Sequence, residues 1–167
     1  LLGNVRWLSI NGMQLSGSID DINKEVSYIS MYNCKLPGDA TTLDLSKFTG
    51  LWDLSLNSMG LTEITGLDKL DNIYSLNLSG NELSEVPALY KYPSSMYLQN
   101  NKITDISALG TLKNGNYVSA LNLSGNQITS IKDANLVSLT ALSDINNLNL
   151  AGNRLTVDEV KGYVPEK

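Results

Sequence analysis

Four aromatic residues, Trp7, Tyr28, Tyr32 and Tyr97, are the chain's first candidates for chemistry, because each falls among short polar residues in a recurring frame. Rings set in such surroundings anchor protein interfaces and also stack on the apolar faces of sugars. Asp53, Asn77, Gln99 and Asn122 occupy equivalent outward positions and would supply hydrogen bonds and the one formal charge. This is the chemistry of recognition. Bond-making chemistry finds little support: the chain has no histidine, which excludes His-based triads, His-containing zinc sites and imidazole switches. The Asp-x-Asp-x-Asp-Gly calcium loop, G-x-S-x-G, the Walker loop and the dinucleotide glycine fingerprint are absent. Asp20-Asp21 and Asp158-Glu159 fall in turns or at a helix start, where capping and solvation explain them. No catalytic residue, metal or cofactor is expected, and the chain reads as a non-enzyme.

The frame that positions these residues is L-x-x-L-x-L-x-x-N-x-L, which recurs seven times with starts near residues 5, 26, 51, 73, 93, 118 and 145. Its clearest copies are Ile73-Leu76-Leu78-Asn81-Leu83, Val118-Leu121-Leu123-Asn126-Ile128 and Ile145-Leu148-Leu150-Asn153-Leu155. Within each unit apolar and polar residues alternate, as in a strand with one buried face. Leu76 and Leu78 should point inward, and Ser75, Asn77 and Ser79 outward. A Gly-Asn turn often follows. The Asn position forms a column, Met13, Cys34, Met59, Asn81, Asn101, Asn126 and Asn153, expected to be buried. There Cys34, Met13 and Met59 act as core fillers, and the amides bond backbone groups of neighbouring coils. A repeat of this period and pattern is the mark of a leucine-rich-repeat solenoid.

Apolar residues in the return segments (Ile64, Leu67 and Leu70; Val86 and Leu89; Ile106, Leu109 and Leu112) predict short helical or 3₁₀ turns behind the sheet. Longer helices are expected over 44–48, capped by Asp44, and over about 133–142. A capping box at Thr156-Val157-Asp158-Glu159 predicts a last helix within a C-terminal cap, 156–167. One domain, 1–167, is the economical division of the chain.

The stretch from Leu61 to Asn81 (LTEITGLDKLDNIYSLNLSGN) resembles the short-period bacterial leucine-rich repeats of the internalin type, and so does Ile103 to Asn126 (ITDISALGTLKNGNYVSALNLSGN). The resemblance implies a right-handed, curved α/β solenoid. Its concave face would be a parallel sheet of about seven strands, its convex side short helical segments. It also implies a secreted or surface-attached bacterial binding module, rarely an enzyme. The chain departs from the pattern in its wandering period and in the first three coils, which lack the Asn.

Charge and composition narrow the partners. Net charge is −5, and the twelve Lys and Arg are scattered, so there is no basic stripe for nucleic acid. No apolar run approaches the ~20 residues that span a bilayer. One cysteine excludes an internal disulfide. The chain opens on Leu1 rather than Met and reads as an excised domain. The leading expectation is a protein-binding module that grips its partner on the concave face. Alternatives are carbohydrate binding on the same aromatic, Ser- and Asn-rich face, or a structural spacer in a larger adhesin. For the aromatic positions the bland alternative is ordinary strand packing, with Trp7 shielding the first coil. Trp52 and Tyr74, one position earlier in the frame, read as flank packing.

Overall fold

A computed structural model describes residues 5–111, 119–131 and 147–158. Nine strands are described: β1 (Trp7–Asn11), β2 (Tyr28–Tyr32), β3 (Thr42–Asp44), β4 (Asp53–Asn57), β5 (Glu63–Thr65), β6 (Ser75–Asn77), β7 (Ser95–Tyr97), β8 (Ala120–Asn122) and β9 (Leu148–Asn149). Seven of them form one parallel sheet in the order β1-β2-β4-β6-β7-β8-β9. Every strand is reached after a full turn of chain, so neighbours run the same way. The alternating pattern sends Leu54 and Leu56, Leu76 and Leu78, and Leu121 and Leu123 into a core where all six are fully buried. Full burial of such side chains contributes about 1.5–3 kcal/mol each. From the return side Leu61, Ile64, Leu67, Leu70, Ile106 and Leu109 close the same core.

The asparagine column works as an interlocking device. Asn81 accepts from the Met59 and Leu61 amides (3.0 and 3.1 Å) and donates to the Leu56 and Leu78 carbonyls (2.7 and 2.9 Å). Asn101, Asn126 and Asn153 repeat the pattern, each accepting from the coil before and donating to that coil and its own. The amide thereby satisfies backbone groups that a turn would otherwise bury unpaired. Cys34 is buried in the same column, its Sγ 3.5 Å from the Ile10 carbonyl of the preceding coil. Met59 is also buried, but Met13 is 52% exposed. The core role expected for Met13 is therefore wrong. β1 has a neighbour on one side only among the described residues, so the first coil covers its column residue from one side.

The return side departs further from expectation. The helix expected over 44–48 does not form: Leu43 and Leu45 both face the core, β3 runs through Asp44 parallel to β5, and a turn follows at 46–47. Asp44 still does capping chemistry, accepting from the Ser46 amide at 2.9 Å and hydroxyl at 3.1 Å. Turns of 3₁₀ type do form at Leu67–Lys69 and Ser107–Thr111, and also at Ile19–Asp21 and Pro37–Asp39. Around Val86 and Leu89 none forms. Pro87 pushes its predecessor toward extended backbone and, counted from Leu61 and Leu83, occupies the place of Thr65. Lacking an N–H, Pro87 cannot extend the β3–β5 ladder, and pairing resumes only at the bridge Glu85–Asp105. A cleft of about 320 Å³ lined by Ile64, Thr65, Glu85 and Pro87 opens at the break. The helix expected over 133–142 and most of the 156–167 cap lie outside the described residues; the cap begins as a helical turn at 157–158. Leu112, Val118 and Ile145 also lie outside them.

Candidate functional site

Parallel pairing lines the outward residues up in columns. Trp7, Tyr28, Asp53, Ser75, Ser95 and Ala120 are in direct register, as are Ser9, Ser30, Ser55, Asn77, Tyr97, Asn122 and Asn149. At the far end of the longer strands Asn11, Tyr32 and Asn57 follow suit. Register thus brings Trp7 and Tyr28 onto adjacent strands, where their rings stack with centroids 3.7 Å apart and planes 19° off parallel. Tyr32 is 54% exposed at the end of β2. Tyr97 is half-buried three strands further along the sheet, so the four aromatics do not form one cluster.

A second aromatic pair lies where only flank packing was expected. Trp52 and Tyr74 each enter their strand one residue before the sheet column, and the ladder already links them, Tyr74 N–H donating to the Trp52 carbonyl at 2.8 Å. Their rings stack at 4.9 Å and 10° while 52% and 44% of their surfaces stay exposed. They do sit on the flank, but they pack on each other and leave a ring face to solvent. The signal for this was present: two aromatics at the same frame position of successive repeats must meet when the repeats stack in register.

Asp53 lies where the two pairs meet, in register with Tyr28 and directly following Trp52. It is the one formal charge among the sixteen residues of these columns. Partial burial pushes its carboxyl pKa up, opposed by a hydrogen bond from Ser75. The other expected site residues have structural duties. Asn77 Oδ1 accepts from the amide and hydroxyl of Ser79 (3.1 and 2.8 Å), and Asn122 does the same for Ser124 (3.1 and 2.8 Å). These local turns follow β6 and β8, which are three residues long, as is β7, whereas β1, β2 and β4, with Ser in that column, run for five. Only the amide nitrogens of Asn77 and Asn122 remain to meet a ligand. Gln99 carries a buried Oε1 without a hydrogen-bond partner.

Asp20 and Asp21 lie in a 3₁₀ turn, as expected. Asp21 closes a capping box with Ser18, and Asp20 pairs with Lys47 at 2.8 Å. Among the described residues no group of three His, Cys, Asp or Glu is placed to hold a metal ion. None of the described helices is long and apolar enough to cross a membrane.

Comparison with known proteins agrees with this geometry. No protein-family model matches the chain. A segment of the human "Leucine-rich repeats and immunoglobulin-like domains protein 1" is 33% identical over 131 residues, 77% of this chain and 11% of that protein. The "Acidic leucine-rich nuclear phosphoprotein 32 family member A" of Drosophila pseudoobscura pseudoobscura and of Drosophila melanogaster are each 31% identical over 110 residues, 64% of this chain and 41% of theirs. Among solved structures, an internalin from Listeria monocytogenes aligns with a TM-score of 0.52 and 23% identity, over 82% of this chain and 44% of that one. This chain is a leucine-rich-repeat protein. It spans less than half the length of each of these relatives. What the internalin shares with this leucine-rich-repeat chain is the fold, and ligands are set by the side chains displayed on it.

Proposed function

We propose that the chain is a non-catalytic protein-binding module that holds its partner on the outer face of the seven-stranded sheet. The carrying observation is the pair of exposed aromatic stacks, Trp7–Tyr28 and Trp52–Tyr74, beside a face of Ser and Asn with a single charge. Stacked rings offer large contact area that is already ordered, and aromatic anchors in a weakly charged surround are how interface hot spots are built. Seven strands at ~4.8 Å span about 30 Å, enough for one side of a specific interface. Glycan binding on the same face is the weaker reading, since the Asn77, Asn122 and Asn149 side-chain oxygens are already committed to backbone amides. Trp7, Tyr28, Tyr32, Asp53, Asn77, Tyr97, Gln99 and Asn122 remain the proposed contact set, to which Trp52 and Tyr74 are added.

The setting we propose is a secreted or surface-attached bacterial protein, on the likeness of the 61–81 and 103–126 stretches to internalin-type repeats. Leucine-rich repeats serve several compartments, as the nuclear name of the fly relatives illustrates, so fractionation of the native cell is the test of that part. The binding reading is tested by screening the chain against arrays of cell-surface proteins and of glycans, beside a Tyr28/Tyr32/Tyr97→Ser variant with unchanged circular dichroism. A protein ligand lost by the variant supports the reading. Ligands bound equally by both, or glycans alone, overturn it.

A further inference from the structure

We propose that the strand-entry end of the sheet, where Asp53 lies between the Trp7–Tyr28 and Trp52–Tyr74 stacks, is a subsite for an arginine side chain of the partner. This rests on the protein-binding reading above and names the chemistry its N-terminal half selects. Charge complementarity carries it. Of the sixteen residues in the registered outward columns only Asp53 is charged, so a partner lying on this face matches it with one cation at one place. The described residues hold no lysine or arginine paired with Asp53; their ion pairs, Lys47–Asp20, Lys69–Asp68 and Lys102–Glu82, all lie elsewhere. Arg6, at the strand-entry position of the first coil, is separated from Trp52 by Ser27 in that ladder.

The surroundings favour a guanidinium over an ammonium. Tyr28 and Ser75 flank Asp53 on the neighbouring strands, and Trp52 precedes it. An arginine can therefore lay its planar head on a ring while pointing N–H donors at the carboxylate, which a compact, strongly hydrated ammonium does less well. Burial has already stripped part of the water from Asp53, as its raised pKa reflects. A charge in that condition gains more from a fitted cation than a fully solvated one does. Ser75 hydrogen-bonds to the carboxylate from the neighbouring strand.

The test uses N-acetyl-L-arginine N-methylamide and its neutral isostere, N-acetyl-L-citrulline N-methylamide, titrated into the chain and followed by the Trp7 and Trp52 indole and Asp53 amide resonances. The arginine probe should bind at least about five-fold more tightly than citrulline, shift all three signals, and lose its advantage as salt is raised. Asp53→Asn, which keeps the Ser75 bond, should erase the preference; Trp52→Ala should weaken arginine binding without restoring citrulline. Equal binding of the two probes, or an Asp53→Asn variant that still prefers arginine, overturns the subsite. Once a protein ligand is in hand, the two proposals separate. Loss on Tyr32/Tyr97→Ser with full binding by Asp53→Asn sinks the subsite and leaves the binding face standing. Full binding by both variants sinks the face itself.

Discussion

Replacing Asn81 with leucine separates two accounts of what holds neighbouring coils together. Leucine has the same number of side-chain heavy atoms in a bulkier shape, so the exchange leaves no cavity and adds apolar surface to a buried site. It removes four hydrogen bonds, two from the Met59 and Leu61 amides and two to the Leu56 and Leu78 carbonyls. Each buried N–H left without an acceptor costs about 1–3 kcal/mol. The added hydrophobic burial offsets about 1–2 kcal/mol. The expected net loss is about 2–4 kcal/mol, a large share of the 5–15 kcal/mol typical of a folded domain. Urea unfolding followed by circular dichroism measures the total. Native-state hydrogen exchange locates it, since the Met59 and Leu61 amides should lose protection by a similar free energy. The rival account holds that the column only needs filling, as Met59 fills it one coil earlier. A leucine variant within about 0.5 kcal/mol of the wild type, with both amides still protected, would refute the hydrogen-bond argument.

Three further outcomes follow from the geometry. Gly66 adopts φ +82° and a Cβ there would fall 2.2 Å from the Ser46 backbone nitrogen, so Gly66→Ala should lower unfolding free energy by about 2–4 kcal/mol in urea melts. Tyr92 is buried with its hydroxyl donating to the Leu109 carbonyl, and burial pushes its pKa up; Tyr92→Phe should cost about 1–2 kcal/mol by the same measurement. Asp53 has its folded-state pKa raised above the usual 3.8. Its contribution is thus fully present below that value and is lost as pH rises through the folded pKa. Asp53→Asn should therefore be more stable than wild type at neutral pH and lose that advantage by about pH 3, as thermal melts across that range would show.

The sheet was legible because its period is set by geometry that the sequence cannot disguise. Leu54, Leu56, Leu76 and Leu78 alternate with polar neighbours, and stacking in register then determines which outward residues touch. The same logic, applied one position earlier, would have found the Trp52–Tyr74 stack. Asp44 misled because its cap chemistry is shared by helices and tight turns, and only the inward alternation of Leu43 and Leu45 distinguishes the two. Met13 misled because column position tells which way a side chain points, but not whether a neighbouring coil covers it. Asn77 and Asn122 read as ligand contacts from their column alone, and the local bonds of their oxygens to Ser79 and Ser124 are not something amide composition reveals.

The pairing of β3 with β5 has a consequence for recognition in front of it. Tyr28 and Asp53 sit on the two coils whose return segments are also hydrogen-bonded, Leu45 N–H reaching the Thr65 carbonyl at 3.0 Å and Gly66 nested against Ser46. Those two turns are tied front and back by strand pairing, whereas the next rear pairing is interrupted at Pro87 and returns as the single bridge Glu85–Asp105. A ligand settling over Tyr28 and Asp53 thus meets a surface whose backbone entropy was already given up during folding. Little ordering cost is then left to subtract from the contact energy, which makes this stiff quarter of the sheet the place where a few side chains can yield the most affinity.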